Sequence, residues 1–86
     1  MLILQEELAQ ELAVVERHIL QGERNVTLQR WRVAAAQEKF GRDVSLSREL
    51  LVAFERSLAL HYWHRSYILR DLRTRRDEER RAAKRS

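Results

Sequence analysis

Residues 8–40 read LAQELAVVERHILQGERNVTLQRWRVAAAQEKF and carry a repeat with alternating spacings of four and three. The positions so spaced are Leu8, Leu12, Val15, Ile19, Gly22, Val26, Gln29, Val33, Ala36 and Phe40, which we call seam 1. Because an α-helix has 3.6 residues per turn, they fall on one stripe, as in a helix that packs lengthwise against another. The pattern predicts a first helix over about residues 3–40.

A second stripe with the same alternation follows a short break. Gly41 can close the first helix in the left-handed conformation, and Asp43, Ser45 and Ser47 are candidate N-caps for the next. The second stripe, seam 2, consists of Leu51, Phe54, Leu58, His61, Arg65, Ile68 and Leu72. Since a short loop joins antiparallel neighbours, we predict an all-α hairpin whose second helix covers about residues 46–76.

Composition agrees with a small helical protein. The chain has 86 residues, no Pro, no Cys and two Gly, which favours one domain and unbroken helices. Without cysteine there is neither a disulfide nor a thiolate metal site. Because chains of this length bury little surface, we expect oligomerisation to add stability.

Gly22 leaves two interpretations of the first helix open. Residues 21–25 could form a break, with Gly22 as C-cap and Asn25 as the next N-cap, giving a three-helix bundle. Seam 1 keeps its phase through Gly22, however, and this favours a continuous helix. A hairpin that turns at residues 43–44 would then place Gly22 opposite Arg65.

Polar residues interrupt both seams near the middle of the predicted hairpin. We interpret this polar layer as a device that fixes helix register, because two helices cannot enclose a ligand pocket. Its members are Gln29, His61 and Arg65 on the seams, with Glu23 and Glu55 within reach. No nucleophile–base pair, phosphate loop or Glu-x-x-His metal motif is present, so we expect no enzyme, cofactor or metal.

Large apolar residues lie off both seams, where an isolated hairpin would expose them. They are Trp31, Tyr62, Trp63, Tyr67, Leu20, Leu28 and Leu69. Exposed apolar surface marks interfaces, and Trp and Tyr are common anchors there. We therefore predict a homodimer that makes a four-helix bundle.

The C-terminal extension, residues 73–86, differs from the hairpin of residues 1–72. Residues 1–69 carry equal numbers of cationic and anionic side chains, so the net charge of +4 comes from the remainder. The candidate contacts to nucleic acid or an acidic partner are Arg73, Arg75, Arg76, Arg80, Arg81, Lys84 and Arg85. Because acidic residues 77–79 interrupt the run and no aromatic lies in it, we favour a solvated, frayed extension that binds nucleic acid weakly.

The apolar start, residues 1–4, is too short for a signal peptide or a membrane span. We therefore expect a soluble, cytoplasmic protein. Zero cysteine is compatible with that compartment.

Residues 19–72 resemble a group of short, uncharacterised bacterial proteins predicted to be helical hairpins. The residues that carry the resemblance are Gly22-Glu23-Arg24, Val26, Gln29-Arg30, Gly41, Asp43, Leu50-Leu51, Phe54-Glu55, Leu58, His61 and Arg65. Val44 departs from it, because those proteins tend to carry Thr there, as a helix cap. The resemblance implies the same hairpin and polar layer, and no activity.

Two functions follow as hypotheses from the sequence. The first is a small, non-enzymatic interaction, scaffold or accessory protein that self-associates and docks on a larger partner protein. The alternative is a nucleic-acid-associated regulatory protein that acts through its basic C-terminal extension.

Overall fold

Two long helices make up the part of the chain that the structure, a computed structural model, describes. It covers the backbone of residues 2–40 and 44–85 and the side chains of residues 4–38 and 44–85. Helix α1 spans Leu2–Phe40 and helix α2 spans Ser45–Arg85. Since α1 continues through Gly22, the three-helix alternative is wrong and the predicted all-α hairpin is confirmed. The predicted stop at Gly41 and the candidate cap Asp43 lie outside the described residues.

The two seams face each other and form the core. On α1, the buried residues are Val15, Ile19, Val26, Gln29 and Val33, all of which belong to seam 1. On α2, Ile68 is buried and the other members of seam 2 are partly buried. The Cα atoms span 71 × 15 × 14 Å, so the hairpin is long and narrow. A core of this kind is a single row of side chains.

The start of α2 differs from the prediction. The N–H of Arg48 donates to the carbonyl oxygen of Val44 at 2.9 Å, which is the first hydrogen bond of the helix. Val44 therefore holds the N-cap position, and neither Ser45 nor Ser47 does. The Val44 side chain is buried, so packing against the hairpin replaces the polar cap that the sequence pattern favoured.

The helix register also differs from the prediction at Gly22. A Cβ built on Gly22 would lie 3.1 Å from Cδ1 of Leu58, and its nearest neighbours all belong to Leu58. The predicted opposite residue, Arg65, lies about two helical turns further along α2. The predicted register, which assumed a turn centred on residues 43–44, is therefore shifted by about seven residues of α2 at this level. The glycine makes room for a leucine of seam 2.

Helix α2 continues well beyond its predicted end near residue 76. Residues 73–85 are helical, and α2 runs to Arg85. The amide of Gln5 on α1 donates to the Glu79 carboxylate at 2.7 Å, and Arg75 pairs with Asp71 one turn earlier at 3.1 Å. Arg, Glu and Ala have high helix propensity, and i,i+4 ion pairs add to it. The extension is thus the far end of the hairpin.

Neither helix is long and apolar enough to cross a membrane, as far as the described ranges 2–40 and 44–85 extend.

Candidate interaction surface

The side of α1 that faces away from α2 carries three large exposed apolar side chains. Leu20, Leu28 and Trp31 lie about 140–160° around the helix from seam 1, at about 100° per residue. Trp31 is 74% exposed, and together with Leu20 and Leu28 it lines an open groove bordered by Glu23, Arg24 and Thr27. This outer face of α1 has no partner within the hairpin.

The side of α2 that faces away from α1 carries a second apolar patch. Leu60, Trp63 and Tyr67 lie about 130–170° from seam 2 and are 67%, 68% and 60% exposed. The rings of Trp63 and Tyr67 are 5.7 Å apart between centroids and inclined by 35°. Stacking fixes the two rings side by side, so they present one continuous aromatic surface.

Tyr62 and Leu69 belong to neither outer face. They lie closer to seam 2, on the flank where Tyr62 forms a hydrogen bond with Glu23 of α1 and the Arg65 guanidinium lies 5.3 Å from the ring centroid. Tyr62 is only partly buried, and Leu69 is exposed. The seven predicted interface residues are therefore divided among two opposite outer faces and one flank.

Both outer faces follow a heptad that the interpretation of the sequence missed. Arg17, Arg24, Trp31 and Glu38 are spaced by seven on α1, and Glu49, Arg56, Trp63 and Arg70 are spaced by seven on α2. We call these sets outer stripe 1 and outer stripe 2, and all their members are exposed. The signal in the sequence is a motif that occurs twice, Arg-x-x-(Thr/Ala)-Leu-x-x-Trp, at residues 24–31 and 56–63. A heptad away from the seam is typical of a second helix-packing surface.

The predicted polar residues lie at several levels of the hairpin. Gln29 is 3% exposed, and its Nε2 donates to the Ser47 carbonyl oxygen at 3.0 Å. Glu55 pairs with Arg30 at 3.4 Å on the surface. Arg65 is on the flank with Glu23 and Tyr62, and has no ion pair with Glu23 or Glu55 among the described residues. No enclosed site brings these five side chains together.

Gln29 contains a buried polar atom that is not satisfied. Its Oε1 has no hydrogen-bond partner in the described part of the chain. We expect Gln29→Leu to raise the free energy of unfolding by ~1 kcal/mol, because it removes this acceptor while Ser47 keeps its bond within the helix. Urea denaturation measures the change. The exposed Gln21→Leu is the control and should leave stability nearly unaltered; a destabilised Gln29→Leu protein would show that Oε1 is satisfied in solution.

The three histidines share the other flank of the hairpin. The rings of His18 and His61 are 5.1 Å apart between centroids, and Nε2 of His64 lies 3.0 Å from Oε1 of Glu11. His64 and Glu11 are about half exposed, so this contact contributes little to stability. No group of three or more His, Cys, Asp or Glu side chains in the described ranges could hold a metal ion.

Tyr62 has a raised pKa, which follows from its burial and from its neighbours Glu23 and Arg65 on the same flank. Partial burial raises it most, the hydrogen bond and the negative charge of Glu23 raise it further, and Arg65 lowers it. A raised pKa favours the neutral phenol, so the contribution to folding is present below pH 10.0 and is lost as pH rises through the folded-state pKa.

We expect Glu23→Gln to lower the pKa of Tyr62 toward 10.0, because it removes the charge that opposes tyrosinate. The near-ultraviolet absorbance of tyrosinate measures it in a Tyr67→Phe background, where Tyr62 is the one tyrosine left. Glu16→Gln, two helical turns before Glu23 on α1, is the charge-matched control. It should leave the midpoint of the Tyr62 titration unchanged. An unchanged midpoint in Glu23→Gln would exclude the contact.

The helical C-terminal extension separates its charges in part. Arg73, Arg76, Arg80 and Lys84 fall within about 80° of one another around α2, and Asp71 and Glu78 lie on the opposite side. Glu79 lies about 100° from the centre of this basic stripe, and Asp77 borders it next to Lys84. No ion pair in the described ranges uses these four cations. Of the other predicted contacts, Arg75 pairs with Asp71, and Arg81 and Arg85 lie off this basic stripe.

No protein-family model, curated protein or solved structure matches this chain. The resemblance of residues 19–72 to short bacterial hairpin proteins stays a prediction.

Proposed function

We propose that the protein is a small, non-enzymatic helical interaction module that self-associates and docks on a larger protein. The observation that carries the proposal is the pair of exposed apolar faces on opposite sides of the hairpin. One face contains Leu20, Leu28 and Trp31, and the other contains Leu60, Trp63 and Tyr67. Soluble proteins seldom leave contiguous aromatic surface without a partner.

The dimensions of the hairpin support self-association. A cross-section of 15 × 14 Å holds one row of seam residues and no second layer. Short chains of this kind gain much of their stability from association. A second copy would supply that layer, and it would bury rings that are now more than half exposed.

The opposite placement of the two faces allows two roles. An isologous dimer uses the same patch on both copies, so it covers one outer face and leaves the other for a different partner. This arrangement fits a scaffold or accessory protein of the cytoplasm.

Light scattering after size-exclusion chromatography, over a hundredfold dilution series, tests self-association. The proposal predicts a dimer mass at high concentration and a fall toward 10.3 kDa on dilution. A mass of one chain at every concentration would reject self-association. Both apolar faces would then bind proteins other than a second copy of this chain.

A second candidate function rests on the basic stripe of the C-terminal extension. Four cations on one face of a helix can contact successive phosphates of a nucleic acid, and such binding weakens steeply with salt. Arg76→Gln/Arg80→Gln should reduce affinity for duplex DNA and the salt slope, whereas Arg32→Gln/Arg48→Gln lowers net charge equally and should not. Fluorescence anisotropy at low and moderate salt measures both. Equal losses of DNA affinity in the two variants would show that binding depends on net charge and not on the basic stripe.

A further inference from the structure

Outer stripe 2 has a composition that is complementary to itself. Its members in chain order are acidic Glu49, basic Arg56, aromatic Trp63 and basic Arg70, each seven residues after the last. All four are exposed, and no ion pair in the described ranges uses the three charged ones. The stripe therefore presents charges that the hairpin itself leaves uncompensated.

When two copies of outer stripe 2 lie antiparallel, unlike groups face each other. If a second copy lies antiparallel on the first, with a twofold axis between Ala59 and Leu60, Glu49 faces Arg70 of the second copy. Arg56 then faces Trp63 of the second copy, which is a favourable cation–π pair. Symmetry repeats both contacts, so one register satisfies all four positions on each chain.

The groove on this face fits the same register. It is open and lined by Arg48, Glu49, Val52, Ala53 and Arg56. In the antiparallel arrangement Tyr67 of the second copy lies level with Val52 and Ala53. Two successive turns of a helix form the hole that receives one side chain in knobs-into-holes packing. The groove is such a hole, and Tyr67 is the matching knob.

Pairing of outer stripe 1 with outer stripe 2 is less complementary. The antiparallel version places Arg17 opposite Arg70 and Glu38 opposite Glu49, and such like charges are unfavourable. The parallel version pairs Arg17 with Glu49 and Glu38 with Arg70, but it places Arg24 opposite Arg56 and so loses both cation–π pairs. Either version is a head-to-tail contact that would build open chains of hairpins.

Outer stripe 1 is also complementary to itself, because Arg17 would face Glu38 and Arg24 would face Trp31. It offers less apolar surface, since Ala35 holds the position that corresponds to Tyr67 and is partly buried. Pairing through α2 therefore buries more aromatic area.

We propose that the second copy of this chain binds antiparallel along outer stripe 2, with Glu49 against Arg70 and Arg56 against Trp63. This inference rests on the proposed self-association and specifies its face and register. The outer face of α1 then remains free for the larger partner protein.

Charge exchange tests the register. We expect Glu49→Arg or Arg70→Glu alone to raise the dimer Kd about tenfold, because each turns two attractive pairs into repulsive ones. The double variant Glu49→Arg/Arg70→Glu should return the Kd to near the native value. Sedimentation equilibrium measures all four proteins. Native-like dimers in both single variants, or a double variant weaker than either single one, would overturn the register.

A cysteine cross-link tests the face. The chain has no cysteine, so Ala59→Cys introduces one thiol next to the proposed twofold axis. Oxidation should convert most of this variant to a covalent dimer. Thr27→Cys, at the corresponding place on α1, is the control and should stay uncross-linked. A cross-link through residue 27 but not 59 would assign the dimer to α1 and overturn this inference while self-association stands; a native monomer at all concentrations would reject both.

Discussion

Trp63→Glu is expected to remain a monomer at concentrations where the native chain is a dimer. The Trp63 side chain is 68% exposed in the hairpin and lies in the centre of the aromatic patch on α2. In the proposed dimer each chain would bury this ring against an arginine of the other. The glutamate removes the largest apolar side chain of the patch, and an ion pair with Arg56 of the second copy would recover no more than about 1 kcal/mol of that loss. We expect the dimer Kd to rise at least about a hundredfold.

The mass of Trp63→Glu is measured by light scattering, and its helicity by circular dichroism. Helicity should be kept at low concentration, because Trp63 takes no part in the seams. Trp31→Glu is the matched control: its ring is 74% exposed on the opposite face, and the variant should dimerise like the native chain. If Trp31→Glu became the monomer and Trp63→Glu did not, the interface would lie on α1.

Val15→Asp is expected to unfold the hairpin. Val15 is 1% exposed and is the most completely buried side chain among the described residues. A carboxylate there would have no cationic partner and would lose its water, which costs several kcal/mol. Because the core is one row of side chains, this loss is comparable to the entire stability that a small domain has.

Helicity and thermal unfolding, followed by circular dichroism, measure the effect of Val15→Asp. Val14→Asp is the adjacent control, since Val14 is 39% exposed and lies about 100° around the helix from Val15. It should unfold near the native temperature. Equal loss of structure in the two variants would mean that seam 1 is not the buried stripe.

The hairpin itself followed from the sequence. The alternation of four and three fixed which residues of α1 are buried, from Val15 to Val33, because helix periodicity alone determines one stripe. It also favoured the continuity of α1, since Gly22 keeps the phase of seam 1, and left a break at residues 21–25 as the alternative. Gly22 is tolerated because the glycine accommodates Leu58.

The register, the N-cap residue and the C-terminal end of α2 did not follow. Pairing of facing residues depends on the level at which each helix leaves the chain reversal, and no local pattern encodes that. Val44 holds the N-cap position and its side chain is buried, so burial rather than a polar cap accompanies the start of this helix. The extension is helical, in line with the helix propensity of its Arg, Glu and Ala residues, and Gln5 of α1 contacts it at Glu79.

The candidate surface could be predicted in part. The exposure of Trp31, Trp63 and Tyr67 followed from their distance from the seams. Their division between opposite faces was also available from helix geometry, as was the heptad of outer stripe 2, but both become evident only when the two seams are known to face each other.

The environment of Trp63 on self-association is the most direct test of the account. In a Trp31→Phe background Trp63 is the sole tryptophan, and its emission and acrylamide quenching can be followed as concentration rises. If Trp63 lies in the dimer interface, its emission will move to shorter wavelength and its quenching will fall as the mass doubles. A Trp63 that stays as accessible in the dimer as in the monomer would contradict it.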